Sequence, residues 1–116
     1  MAWKRLNLGC ALLLALLAGA WPALAQRELP TDKLLKSLKP TADVNDFAGV
    51  LQPAEREALE ARCRELREKT GTQLAVVTLK SLDGGQIDDF AVKLYERWGI
   101  GEKGKDNGVL LLVAIE

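Results

Sequence analysis

The most constraining feature of this 116-residue chain is Val109–Ile115, seven consecutive apolar residues with no polar alternation. A strand with one wet face alternates polar and apolar side chains, so an unbroken run this short predicts a strand covered on both faces, as in a parallel sheet. The preceding segments supply suitable neighbours. Gln73–Leu79 is short, rich in β-branched and aliphatic residues, and bounded by Gly71 and Asp83-Gly84-Gly85, which predicts a second strand. Between the two, apolar residues recur at 87, 90, 91, 94, 95 and 98, the 3.6-residue period of a helix, with Asp88 and Asp89 at its favoured N-terminal end. A further helix is predicted over Ala54–Lys69, opened by Pro53 in its first turn and ended at Thr70-Gly71, with Leu59, Cys63 and Leu66 as a narrow inner stripe. Helix, strand, helix, strand is an α/β unit whose two strands are parallel and joined by a right-handed crossover. The sequence stops at Glu116, one residue past the last strand, and two strands with two helices bury little. The expectation is therefore an incomplete portion of a larger domain, or a chain that self-associates through an exposed sheet edge.

The N-terminus is an export signal. Lys4 and Arg5 precede an uncharged apolar stretch, Leu8–Ala20, and Ala23-Leu24-Ala25 carries the small-x-small pattern of signal peptidase, so cleavage is expected after Ala25. A membrane anchor fits less well: the run rises only about 20 Å as a helix against about 30 Å of hydrocarbon, and Pro22 follows it. The membrane is met only through this signal. Cys10 lies ahead of the apolar run, the wrong side for lipidation. Residues 26–41 read as a leader with Pro30 and Pro40 around a short amphipathic piece, and 42–116 as the domain. Within it, Asp43–Leu51 reads as a segment laid across the surface with Phe47, Val50 and Leu51 tucked in.

Composition removes whole classes of function. With no histidine, no Ser-His-Asp triad, Cys-His pair, imidazole base or His-ligated metal is available. Export leaves 14 basic against 16 acidic side chains, a net charge of −2 with both signs scattered, which gives no field for nucleic acid. Cys63 alone survives cleavage, so no internal disulfide forms, and it reads as a small apolar residue on the inner face of its helix.

Gly99-Ile100-Gly101-Glu102-Lys103-Gly104 matches G-x-G-x-x-G, and Lys105 extends it toward a P-loop. Both matches fail on context, because a phosphate loop leaves a strand and opens a helix, whereas these glycines leave a helix and open a strand. Gly99 reads as a left-handed helix cap and Asp106-Asn107-Gly108 as the closing turn. Asp106 and Asn107 also carry the oxygen ligands that hard cations prefer, although this stretch offers few of the six to eight that Ca²⁺ takes.

Val44-Asn45-Asp46-Phe47-Ala48-Gly49-Val50-Leu51, Thr70–Thr78, Trp98-Gly99-Ile100-Gly101 and Lys103–Ala114 together resemble the TPM domain. The resemblance implies an α/β/α sandwich, of which this chain carries the N-terminal part, and an exported protein of a bacterial envelope or thylakoid lumen, here periplasmic or extracellular. It implies activity less uniformly. A thylakoid member is described as an acid phosphatase, some members bind calcium, and an animal member is an auxiliary receptor subunit. The expectation is a binding or accessory domain that holds Ca²⁺ or another divalent cation and contacts an envelope protein. The alternative is a metal-assisted acid phosphatase. The resemblance matches acidic family positions at Asp46 and Asp106, so Asp46, Asp106 and Asn107 are the candidate metal ligands. Asp83 follows the first strand and Asp106 precedes the second, so these two are expected at opposite ends of the sheet; Asp46 is paired with Asp106 because both lie in the family's blocks.

Overall fold

The computed structural model describes residues 29–116; the export signal, its cleavage site and Cys10 lie outside the described residues. The elements are α1 (Pro30–Ser37), β1 (Val44–Asp46), α2 (Pro53–Thr70), β2 (Gln73–Leu79), α3 (Ile87–Trp98) and β3 (Gly108–Ala114). The strands form one parallel sheet in the order β1-β2-β3, with Asp46 level with Thr78, and Gln73 level with Gly108.

Each face of the sheet has its own core, because successive residues of β2 point to opposite sides. On one side, Val44 and Val76 pack with Cys63 of α2, flanked by Leu51, Leu59 and Leu74. On the other, Val77 and Leu79 pack with Phe90 and Leu94 of α3, joined by Leu38, Leu82 and the inward residues Leu110, Leu112 and Ala114 of β3. The result is an α/β/α sandwich. Cys63 is 1% exposed, and burial, aided by the nearby Asp43 and Glu60 and opposed by Arg67, pushes its thiol up, the wrong direction for a nucleophile.

The segment expected as a surface strap is in part a strand. Val44–Asp46 pairs with Val76–Thr78, and the backbone N–H of Val44 donates to Glu60 of α2 at 2.8 Å. Phe47 and Val50 are not tucked in: they are 36% and 50% exposed, whereas Ala48 is buried. The leader stretch forms α1, whose Leu34 and Leu35 pack against the α3-side core, with Leu38 just beyond it buried there.

The two crossovers do not share one hand. Both connections move the chain the same way along the sheet, yet α2 lies on one face and α3 on the other. Two crossovers of one hand would place both helices on the same face, so one of the two is left-handed, against the strong general preference.

β3 is likewise not covered on both faces. Leu110, Leu112 and Ala114 meet the α3 side, but Val109, Leu111, Val113 and Ile115 are 48%, 51%, 39% and 53% exposed. The cause is position: α2 sits over β1 and β2 and does not reach β3. β3 is also the end of the sheet order, so its outer edge has no strand partner among the described residues.

Candidate functional site

Asp46 closes β1, and its carboxylate is almost fully engaged. It accepts the Thr78 hydroxyl at 2.5 Å, the Leu51 N–H at 2.9 Å and the Val50 N–H at 3.1 Å. Its own carbonyl accepts the Gly49 N–H at 3.2 Å, and Thr78 in turn accepts the Ala48 N–H at 3.2 Å. The Thr78 hydroxyl is the main reason the Asp46 carboxyl is held below the usual aspartate range; partial burial acts the other way, and the N–H groups of Leu51, Val50 and Gly49 reinforce the lowering. A carboxylate has about four acceptor positions, so three bonds leave little room for a cation. The arrangement shapes the turn that carries the chain from β1 to α2. Asn45 beside it is 2% exposed and acts similarly, accepting Thr41 N–H at 2.8 Å and donating to Ala42 carbonyl at 3.0 Å.

Asn107 is also a clamp. Its side-chain oxygen accepts the Glu102 N–H at 2.7 Å and its amide donates to the Gly71 carbonyl at 3.0 Å, tying the loop before β3 to the end of α2. Gln73 supports the same loop by accepting the Gly101 N–H at 2.8 Å and donating its N–H to the Asn107 carbonyl at 2.8 Å. The approach is so close that only glycine fits at two positions. A Cβ on Gly101 would lie 2.7 Å from the Gly108 nitrogen, and one on Gly108 would lie 2.6 Å from both the Ile100 carbonyl oxygen and the Tyr95 hydroxyl. The glycine pattern thus builds a helix-to-strand closure, and no helix N-terminus faces it. Asp106 has φ +49°, a left-handed conformation Asp tolerates better than most residues. It is exposed, and its carboxylate has no hydrogen bond or ion pair among the described residues.

The three predicted ligands do not converge. Asp46 is level with Thr78 and the Asn107-Gly108 pair is level with Gln73, five residues lower on β2, which is about 16 Å along the sheet. They also lie on opposite sides of β2, since the strand order is β1-β2-β3. One Ca²⁺ with ligands at about 2.3–2.6 Å cannot join them. Asp83, which follows β2, lies at the other end of the sheet from Asp106, in keeping with the strand directions. Among the described residues no group of three or more His, Cys, Asp or Glu could hold a metal ion.

The model of the TPM domain family matches residues 44–116. The chain belongs to the TPM domain family. Its sheet, both flanking helices and the glycine-rich closure all fall within the matched span. A solved relative is the solution NMR structure of the N-terminal domain of a protein from P. gingivalis, 36% identical, with a TM-score of 0.59 over 75% of this chain and 54% of that one. This TPM chain therefore spans about half the length of that structure. No curated protein matches the sequence.

The sequence alone did not reveal Thr78 as the partner that organises the Asp46 turn, or Asn45 as the residue that ties Thr41 and Ala42 to the start of β1. The one available signal was the polarity of Thr78, which interrupts the apolar run of β2. Nor did it reveal Gln73, whose side chain reads from sequence as an ordinary strand opening and in the structure braces the Gly101 loop.

Proposed function

We propose that this TPM-domain chain is an exported binding or accessory domain that works through the open side of its sheet at β3. The observation that carries the reading is the exposed row Val109, Leu111, Val113 and Ile115 next to a strand edge that is unpaired among the described residues. Natural edge strands are usually blunted by charge, proline or a bulge, and β3 has none of these between Gly108 and Ile115. An edge with free backbone donors and acceptors and an apolar face takes a further strand with alternating apolar residues. In the simplest form that strand is β3 of a second copy, which a two-fold axis pairs antiparallel. Sedimentation velocity over a concentration series tests this: association is expected for the wild type and lost in Leu111→Lys/Val113→Lys. A wild-type chain that stays monomeric throughout contradicts self-association.

A divalent cation is the second element of the proposal. Asp106, with its free carboxylate, is the ligand left for a solvent-facing Ca²⁺, while Asp46 and the engaged Asn107 oxygen take no part. Calorimetry with Ca²⁺ on wild type and Asp106→Ala tests it, the variant being expected to lose the heat of binding.

The alternative reading, a metal-assisted phosphatase, is favoured by the label of the matched family model, TPM phosphatase. Asp46 lies too far from Asp106 and Asn107 for the three to hold one cation together, so no catalytic step is assigned to them. Phosphate release measured with and without Ca²⁺ or Mg²⁺ decides this reading: turnover abolished by Asp106→Ala supports catalysis, and binding without turnover supports the accessory role.

A further inference from the structure

Away from β3, a cleft of about 340 Å³ lies between the end of α1 and the end of α3, lined by Leu38, Lys39, Pro40, Arg97 and Trp98. Three of its five lining residues, 38–40, precede the span matched by the family. Three features of its chemistry point the same way. The indole Nε1–H of Trp98 is buried and has no acceptor among the described residues, an unfavourable state for a polar group. Lys39 and Arg97 have no carboxylate partner among the described residues. The lining contains two cations and no acidic side chain.

The backbone does not cancel that charge. Both α1 and α3 end here, and a helix C-terminus presents at most about half a negative charge. The α3 end is also partly satisfied by the N–H groups of Gly99 and Ile100, which donate to Glu96 and Tyr95 carbonyls at 3.2 and 3.3 Å. Two full positive charges outweigh two partial negative ones. The Phe47 ring stands edge-on to Trp98 at 6.3 Å and 70°, which fixes the indole plane against the end of β1.

We propose that this cleft is an anion-binding subsite, in which the Trp98 indole N–H, Lys39 and Arg97 together take a small anionic oxygen group, a carboxylate or a phosphate. The indole supplies direction, the two cations supply attraction, and Leu38 and Pro40 give an apolar wall for the carbon body of the ligand. Arg97 presents a planar fork suited to two oxygens of one anion, and Lys39 a mobile point charge.

The ¹⁵N–¹H spectrum of the full chain tests this directly, with the Trp98 indole resonance assigned by its loss in Trp98→Phe. The chain is titrated with inorganic phosphate and, separately, with acetate, each against sodium chloride at equal ionic strength. The expected result is a saturable shift of the Trp98 indole signal in at least one of the two arms, and the responding arm identifies the class of anion. Lys39→Gln/Arg97→Gln, both at exposed positions, is expected to weaken that binding about tenfold or more. An indole signal unmoved by both anions overturns the proposal, as does a shift matched by chloride or retained in full by the double variant. Either of the last two results would mean that a trapped water or the Phe47 ring is the sole partner of the indole.

Discussion

β2 and β3 are seven-residue strands of nearly the same chemistry, and the structure treats them differently. β2 has helices on both faces and strands on both edges, and Ala75 through Leu79 are buried. β3 has α3 on one face, nothing on the other among the described residues, and one open edge. Apolar composition therefore reports that a strand expects cover, while the placement of the helices decides whether the cover is there. The uncovered half of β3 is the surface that the proposed self-association would use.

The largest expected effect is at the covered side. Leu94 is fully buried against Val77, so Leu94→Ala is expected to cost about 2–5 kcal/mol in urea unfolding, whereas Leu111→Ala, half exposed on β3, stays within about 1 kcal/mol when measured on the dilute monomer. Equal losses at the two positions would break the comparison and mean that the α2 side of β3 is covered.

The next effect is at the loop that delivers the chain to β3. Asn107→Ala leaves the Glu102 N–H and the Gly71 carbonyl without their partner and is expected to cost about 1–2 kcal/mol, read from the same unfolding curves. Asp106→Asn, one residue earlier and unbonded, stays within about 0.5 kcal/mol, which separates a structural amide from a free carboxylate in adjacent positions.

The smallest effect is a pH dependence. The Asp46 carboxyl is lowered in the folded state, chiefly by the Thr78 hydroxyl. Its contribution to stability is therefore complete above the unfolded value, about pH 3.9, and is lost as pH falls below that through the lower folded value. Thr78→Val is expected to move the Asp46 carboxyl back up toward the ordinary range and to flatten this part of the stability profile. Carboxyl ¹³C shifts followed between pH 2 and 6 give the first result, and unfolding midpoints over the same range give the second.

Much of the scaffold was legible before the structure. The 3.6-residue period fixes α3 at Ile87–Trp98, and the aliphatic run fixes β2 at Gln73–Leu79, with the bounds the structure has. β1 was not legible as a strand, because Val44-Asn45-Asp46 has a single apolar residue and is held by pairing to β2 and by Glu60, both far away in sequence. That the two crossovers differ in hand was also hidden, since nothing local records which face a helix will take. At the candidate site, residue type gave the right chemistry with the wrong availability. Asp46 and Asn107 carry ligand oxygens, but a turn folded over one and a loop folded onto the other have already engaged them. Only Asp106 kept the freedom that its side chain suggested.

Hydrogen exchange read by mass spectrometry as a function of protein concentration tests the proposed pairing at the open side of β3 most directly. Alternate N–H groups of β3 point away from β2 and lack strand partners among the described residues. If β3 takes a strand from a second copy, exchange across 108–115 slows as concentration rises while that of 73–79 stays unchanged. Exchange in 108–115 that is the same at every concentration contradicts it.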